Sequence, residues 1–220
     1  MAVENLDLLA IVQEVYKEIR EAAPTSLSSQ STRTKEVVKA IKDTYLEVCS
    51  LNNGHLTFLE ASGTITLATG TREYSLASDY KDINTESWIL NNASQVEYLD
   101  HPKFILEYKD TTERGVPYHF TIWGGQAIFG YVPSSTYNGM TVAYKYWKQP
   151  DDISAGSDIP LIPKEFRRRL LVFGPAAQLL NTDGDPSYRM LWERYAEGIR
   201  DLKRGYCSIK PTSARVSHIF

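Results

Sequence analysis

"SGTITLATGTREYSLASDY", Ser62 to Tyr80, decides how the chain is read. Upstream of it, apolar residues recur every three or four positions. Inside it they alternate, with Thr, Ser and Tyr filling the gaps, which is the pattern of a half-buried strand. Helical spacing returns only near residue 163. The expected fold class is therefore α+β. A four-helix layer is drawn from both termini (1–55 and 160–206), an antiparallel β-sheet or small barrel is inserted between them (56–150), and an extended C-terminal tail follows (207–220).

Residues 5–22 read as a helix with Leu6, Leu9, Val12, Val15, Tyr16 and Ile19 on one face. After the Pro/Ser/Thr connector 22–32, Ser31 or Thr32 can cap a second helix. That helix buries Val37, Val38, Ile41, Tyr45, Val48 and Cys49 and stops at "LNNGH", where Asn53 and Gly54 suit a C-terminal cap. In the middle of the chain, "ATGT" is a hairpin turn between alternating segments. "KFILEYK", "YHFTIW", "QAIFGYV" and "MTVAYKYWK" are further strands, and residues 79–94 read mainly as loop. Gly124-Gly125 joins two of these strands as a hairpin. "QPDDISAGSDIPLIP" is a linker. The helix from Lys164 to Leu180 is expected to kink or break at Gly174-Pro175, because proline lacks the N–H and clashes with the preceding turn. Asp185 and Pro186 open a last helix with Tyr188, Leu191, Tyr195, Ile199 and Leu202 on its buried stripe.

A chain of 220 residues that is 42% hydrophobic and 23% charged can bury a sizeable core, in one large domain or two small ones. A net charge of −3 gives the molecule no electrostatic reason to seek nucleic acid or an anionic membrane. Cys49 and Cys207 form neither a zinc spacing nor a disulfide framework. Glu4 and Asp7 stand where a signal peptide would carry Lys or Arg. No apolar run approaches the roughly 18 residues of a membrane span. The expectation is a soluble protein made and kept in the cytoplasm, without a membrane partner.

Motifs for chemistry are weak. "GGQ" (124–126) has the letters of a release-factor tripeptide, but strand sequence on both sides makes it a turn. "TDGDPSY" lacks the glutamate that closes a calcium loop, and helix capping accounts for it. His55, His101, His119 and His218 have no metal-ligand spacing, and no nucleophile elbow is present. No catalytic residue, metal or cofactor is expected, and the protein reads as a non-enzyme.

Three features remain open. The β region is rich in Tyr and Trp, among them Tyr118, Trp123, Tyr131 and Trp147. Sheet propensity and core filling explain this, and so does a contact surface. An exposed aromatic face can also stack on sugars, so a carbohydrate-binding module for a cell-surface glycan is the alternative reading. Arg167, Arg168 and Arg169 fit a solvated face, pairing with carboxylates of a neighbouring subunit, or phosphate contact. The tail "YCSIKPTSARVSHIF" has no acidic residue and ends in apolar side chains. It fits either a frayed terminus or a peptide that orders on a partner.

The order of the pieces resembles the head-to-tail connector (adaptor) proteins of tailed, podovirus-like bacteriophages. The resemblance rests on the N-terminal helical pair, "ITLATGTREYSL", "VAYKYWKQPDDIS", "SDIPLIPKEFRRRLLVFGPAAQLL" and "PSYRMLWERYAEGIRDLKR", and spans about residues 5–206. It implies a virion neck protein, assembled in the host cytoplasm, that forms a ring of about twelve copies. It further implies a portal protein above, a tail or nozzle protein below, and double-stranded DNA passing through the centre without sequence specificity. C-terminal extensions of such adaptors lodge in the portal. Within that frame, Arg215, Val216, Ile219 and Phe220 are assigned to portal docking, and Arg167, Arg168 and Arg169 to inter-subunit pairing. Tyr118, Trp123, Tyr131 and Trp147 are assigned to the tail-component interface. The family pattern fixes no individual tail residue.

Overall fold

Asp7 and Ser31 start the two N-terminal helices in this computed structural model, which describes residues 6–28 and 30–207. The Asp7 carboxylate accepts the Ala10 N–H at 2.8 Å, opening α1 (Leu8–Glu18). The Ser31 hydroxyl accepts the Thr34 N–H at 3.1 Å, opening α2 (Thr32–Ser50). α1 is shorter than its periodicity suggested, and its buried stripe runs through Leu8, Ile11, Val12, Val15 and Tyr16, leaving Leu6 and Leu9 half-buried. The α2 stripe is as expected. The chain leaves α2 through Asn52, Asn53 and Gly54, all at positive φ (52°, 58° and 81°), a conformation these residue types tolerate best.

The long C-terminal helix of the sequence reading is three pieces. A single turn, α4 (Lys164–Arg167), passes into a π-turn over Arg168–Val172 and then into α5 (Phe173–Thr182). Pro175 cannot donate to Leu171 four residues back. The break is absorbed one turn earlier, where the Phe173 N–H reaches the Arg168 carbonyl. α6 (Tyr188–Tyr206) follows Asp185, whose side chain accepts the Ser187 N–H at 2.8 Å.

The chain divides into two units, residues 1–59 with 150–220 and residues 60–149. In the first, α5 packs against α1, α2 and α6 and is buried almost all round. Gly174 permits this, because a Cβ there would lie 2.9 Å from the Tyr195 ring. The 149–163 segment, read as a linker, is pinned. The Leu8 and Leu9 N–H groups donate to the Asp158 and Gly156 carbonyls at 2.9 Å, so the segment satisfies the open amides of α1.

The second unit holds β1 (Glu60–Thr66), β2 (Glu73–Ser75), β3 (Tyr80–Leu90), β4 (Ser94–Gln95), β5 (Glu97–Tyr98), α3 (His101–Glu107), β6 (Arg114–Gly115), β7 (His119–Trp123), β8 (Gln126–Phe129), β9 (Val132–Pro133) and β10 (Thr141–Lys148). One sheet is ordered β1-β10-β3-β4, a second β2-β8-β7-β5, and β6 pairs with β9. The sheets are open, so the barrel alternative does not occur. Ile65, Trp88, Val142 and Tyr144 of the first sheet and Phe120, Ala127 and Phe129 of the second share one core. At its centre Trp88 stacks on Phe120 at 3.9 Å and on Tyr144 at 4.7 Å.

Three local readings are corrected. "ATGT" does not close a hairpin, since β1 pairs with β10 and β2 with β8, and residues 67–72 carry the chain from one sheet to the other. Residues 80–90, read as loop, form the longest strand. The polar stretch in its middle is a bulge, with Asn84 opposite Lys145 but Ile89 opposite Ala143. "KFILEYK", read as a strand, lies mostly in α3, where Pro102 opens the helix and Phe104 and Tyr108, at i, i+4 spacing, form a smaller buried cluster with Leu99. The Gly124-Gly125 hairpin forms as read, with both glycines at positive φ (59° and 78°).

Candidate interaction surfaces

The β7–β8 hairpin and α3 build an apolar surface on the second unit. Trp123, the last residue of β7, is 61% exposed. One face of its indole lies flat on the His101 ring, 4.0 Å away and 5° from parallel, while the rest meets solvent. On α3, Ile105 and Leu106 point outward at 53% and 71% exposure, although only Phe104 of that helix is buried. Between α3 and β8 lies a groove of about 350 Å³ lined by His101, Phe104, Ile105, Tyr108, Ile128 and Arg72, among others. The Arg72 guanidinium sits 5.4 Å above the Phe104 ring. Beneath the groove, the Tyr108 hydroxyl meets His119 Nδ1, and burial, with Glu107 adding to it, pushes that phenol up to about 12.

The four aromatic candidates separate. Tyr118 is half exposed and Trp123 more so, whereas Tyr131 is half-buried edge-on against Tyr108 and Trp147 is buried. Ile105 and Leu106 lie in "KFILEYK", whose alternation predicts a strand and so hides the outward face of a helix. A second signal was available in the sequence: residues 115–144 contain no Asp, Glu, Lys or Arg. A hairpin tip with no charge of its own sheds little hydration when covered.

The three arginines also separate. Arg167 is only 8% exposed; its Nε donates to the Ile162 carbonyl at 2.9 Å, and burial lowers its pKa. Arg168 lies 3.5 Å from Glu14 and 3.7 Å from Glu18, tying the π-turn to α1. Arg169 bonds Asp201 of α6 at 3.0 Å. The last two side chains are more than half exposed, where such pairs contribute little to stability and remain open to another carboxylate. The first unit also exposes Leu46, Met190 and Trp192, about half exposed each, which the stripe assignments passed over.

Arg215, Val216, Ile219 and Phe220 lie outside the described residues. The root of that tail is placed. Cys207, just after α6, forms a β-bridge with Leu56. Beside it, Tyr206 packs against Phe58 and Phe166 and donates to Glu165 Oε1 at 2.6 Å. Among the described residues no helix is long and apolar enough to cross a membrane, and no group of three or more His, Cys, Asp or Glu gathers as for a metal ion.

Apolar and aromatic side chains dominate the groove between α3 and β8, with Arg72, Glu73 and Lys109 also in its lining, a composition suited to protein contact. No curated protein matches the chain. The family model described as SU10 adaptor protein matches residues 11–215, in agreement with the connector resemblance of the element order; the chain belongs to the SU10 adaptor protein family.

Proposed function

We propose that the protein is a non-enzymatic structural adaptor of a phage virion, sited in the neck between portal and tail. The helical unit joins copies side by side into a ring of about twelve, closed by heterologous contacts. Arg168 and Arg169 are available to such contacts, whereas Arg167 is committed to its own chain. The C-terminal tail docks on the portal, and the Trp123–α3 surface meets the tail or nozzle protein. DNA passes the ring without sequence readout, and a net charge of −3 favours passage over retention, since lysine-rich walls would hold phosphates.

The observation that carries this reading is the exposure of Leu106 and Trp123 on a unit whose other large apolar groups are mostly packed. Covering a Leu or an aromatic side chain contributes roughly 1.5–3 kcal/mol before ordering costs. The glycan alternative draws less support, because the helix face beside Trp123 presents Ile105 where sugar hydroxyls need polar partners.

Leu106→Glu and Trp123→Ala together should weaken binding to the purified tail component at least tenfold, measured by calorimetry. Portal binding and the circular dichroism spectrum should stay unchanged. Unaltered affinity for the tail component would move that interface elsewhere.

A further inference from the structure

Among the described residues, β1 is an edge strand of its sheet, and no hydrogen bond reaches its outer side. The Leu67 N–H donates to the Met140 carbonyl at 2.8 Å, so residue 67 turns toward the β10 side. On β10, the Thr141 carbonyl accepts the Asn91 N–H at 2.7 Å and therefore faces β3. Val142 must then face β1. With an unbroken antiparallel register, Ile65 with Val142, Gly63 with Tyr144 and Ala61 with Tyr146 are the hydrogen-bonded pairs. The intervening residues, Glu60, Ser62, Thr64 and Thr66, aim their N–H and C=O groups away from the sheet. Among the described residues, the backbone groups of Ser62, Thr64 and Thr66 meet no partner, and their side chains are exposed.

Edge strands are usually protected by a lysine, a proline, a bulge or a covering loop. β1 runs "EASGTIT", has no register shift against β10, and carries its only charge at Glu60, its first residue. We infer that this edge pairs with β1 of a second copy, antiparallel and about a two-fold axis at Gly63. That register is the one using the whole strand. It sets Ser62 opposite Thr64 and Glu60 opposite Thr66 of the second copy, each an outward-facing residue, so the open donors and acceptors meet. No like charges face one another, and Ser/Thr cross-strand pairs are favourable. On the core side, half-buried Ala61 of one copy comes to lie beside Ile65 of the other and continues the apolar layer across the axis.

This isologous pair is distinct from ring closure, which needs a heterologous contact. A seven-residue edge covers far less than the roughly 1,000 Å² of a lasting interface, so the dimer is weak and reversed by dilution. It shields the edge in the free protein.

Sedimentation velocity of the full chain over a concentration series tests this. The wild type should shift from monomer to dimer. Thr64→Pro removes an outward N–H without touching a bond to β10, and it should raise the dimer dissociation constant at least tenfold. Thr64→Val keeps that N–H and should dimerise like the wild type. Thr64→Lys keeps every backbone group but adds an edge charge; it should dissociate the dimer with unchanged melting, and it decides the matter if the proline variant fails to fold. A wild type that stays monomeric throughout, or proline and lysine variants that sediment like it, would overturn the pairing. Portal binding is a separate readout, so either result leaves the ring to be judged on its own.

Discussion

Replacing Trp88 with alanine should cost the β-rich unit about 3–5 kcal/mol, the range for removing a buried aromatic side chain. Trp88 is fully buried and lies between the two sheets, stacked on Phe120 and Tyr144 and edge-on to Phe129. Its neighbours are held in turn. The Tyr144 hydroxyl accepts the Ala77 N–H at 3.1 Å, and its ring covers Gly63 so closely that a Cβ there would clash. The hole therefore stays largely open, and cavity and transfer terms add. Trp88→Phe should cost much less, because it keeps the stack and removes an indole N–H that has no hydrogen-bond partner. Urea unfolding followed by near-ultraviolet circular dichroism gives both values. A loss below about 1 kcal/mol for the alanine variant would mean that the stack is not the centre of this core.

Deleting residues 208–220 should abolish portal binding while leaving the free protein's dichroism and melting unchanged. The last described contact of the chain is the pairing of Cys207 with Leu56, so the cut leaves every described contact in place. Val216, Ile219 and Phe220 each contribute roughly 1.5–3 kcal/mol when covered, against the cost of ordering the segment. Tails repeated around a ring act together, so a modest single contact becomes a firm attachment, and removing all of them removes the avidity as well. Truncated protein that binds portal as tightly as the full chain would place the docking surface outside the tail.

What could be read beforehand was what local chemistry decides. The Ser31 cap and the Gly124-Gly125 hairpin each depend on a few adjacent residues and formed as read, and α2 stops at "LNNGH" as expected, although Leu51 caps it and Asn53 and Gly54 belong to the turn that follows. Strand partners depend on distant residues, so alternation announced β1 but not its pairing with β10. "HPKFILE" satisfies both periods over its short length, and the choice fell to Pro102 and to the spacing of Phe104 and Tyr108. The bulge in β3 hid a long strand behind Asn84, Thr85, Glu86 and Ser87.

The same limits governed the surfaces. Three arginines in a row look alike, yet they point in three directions around a helical turn, and only Arg167 turns inward. Trp123 and Trp147 are both strand tryptophans. The first ends a hairpin strand and stays exposed, whereas Trp147 is buried beside an equally buried Tyr146; the two are in continuous register with β3 and so lie on opposite faces of a strand covered on both sides.

The most direct test of the adaptor reading is the mass of the full-length protein, alone and mixed with the portal of the same phage, by native mass spectrometry or light scattering. The expected result is a closed ring of about twelve copies seated on the portal, with only small species in its absence. Persistent monomer or dimer in both samples, with no bound portal, would contradict it.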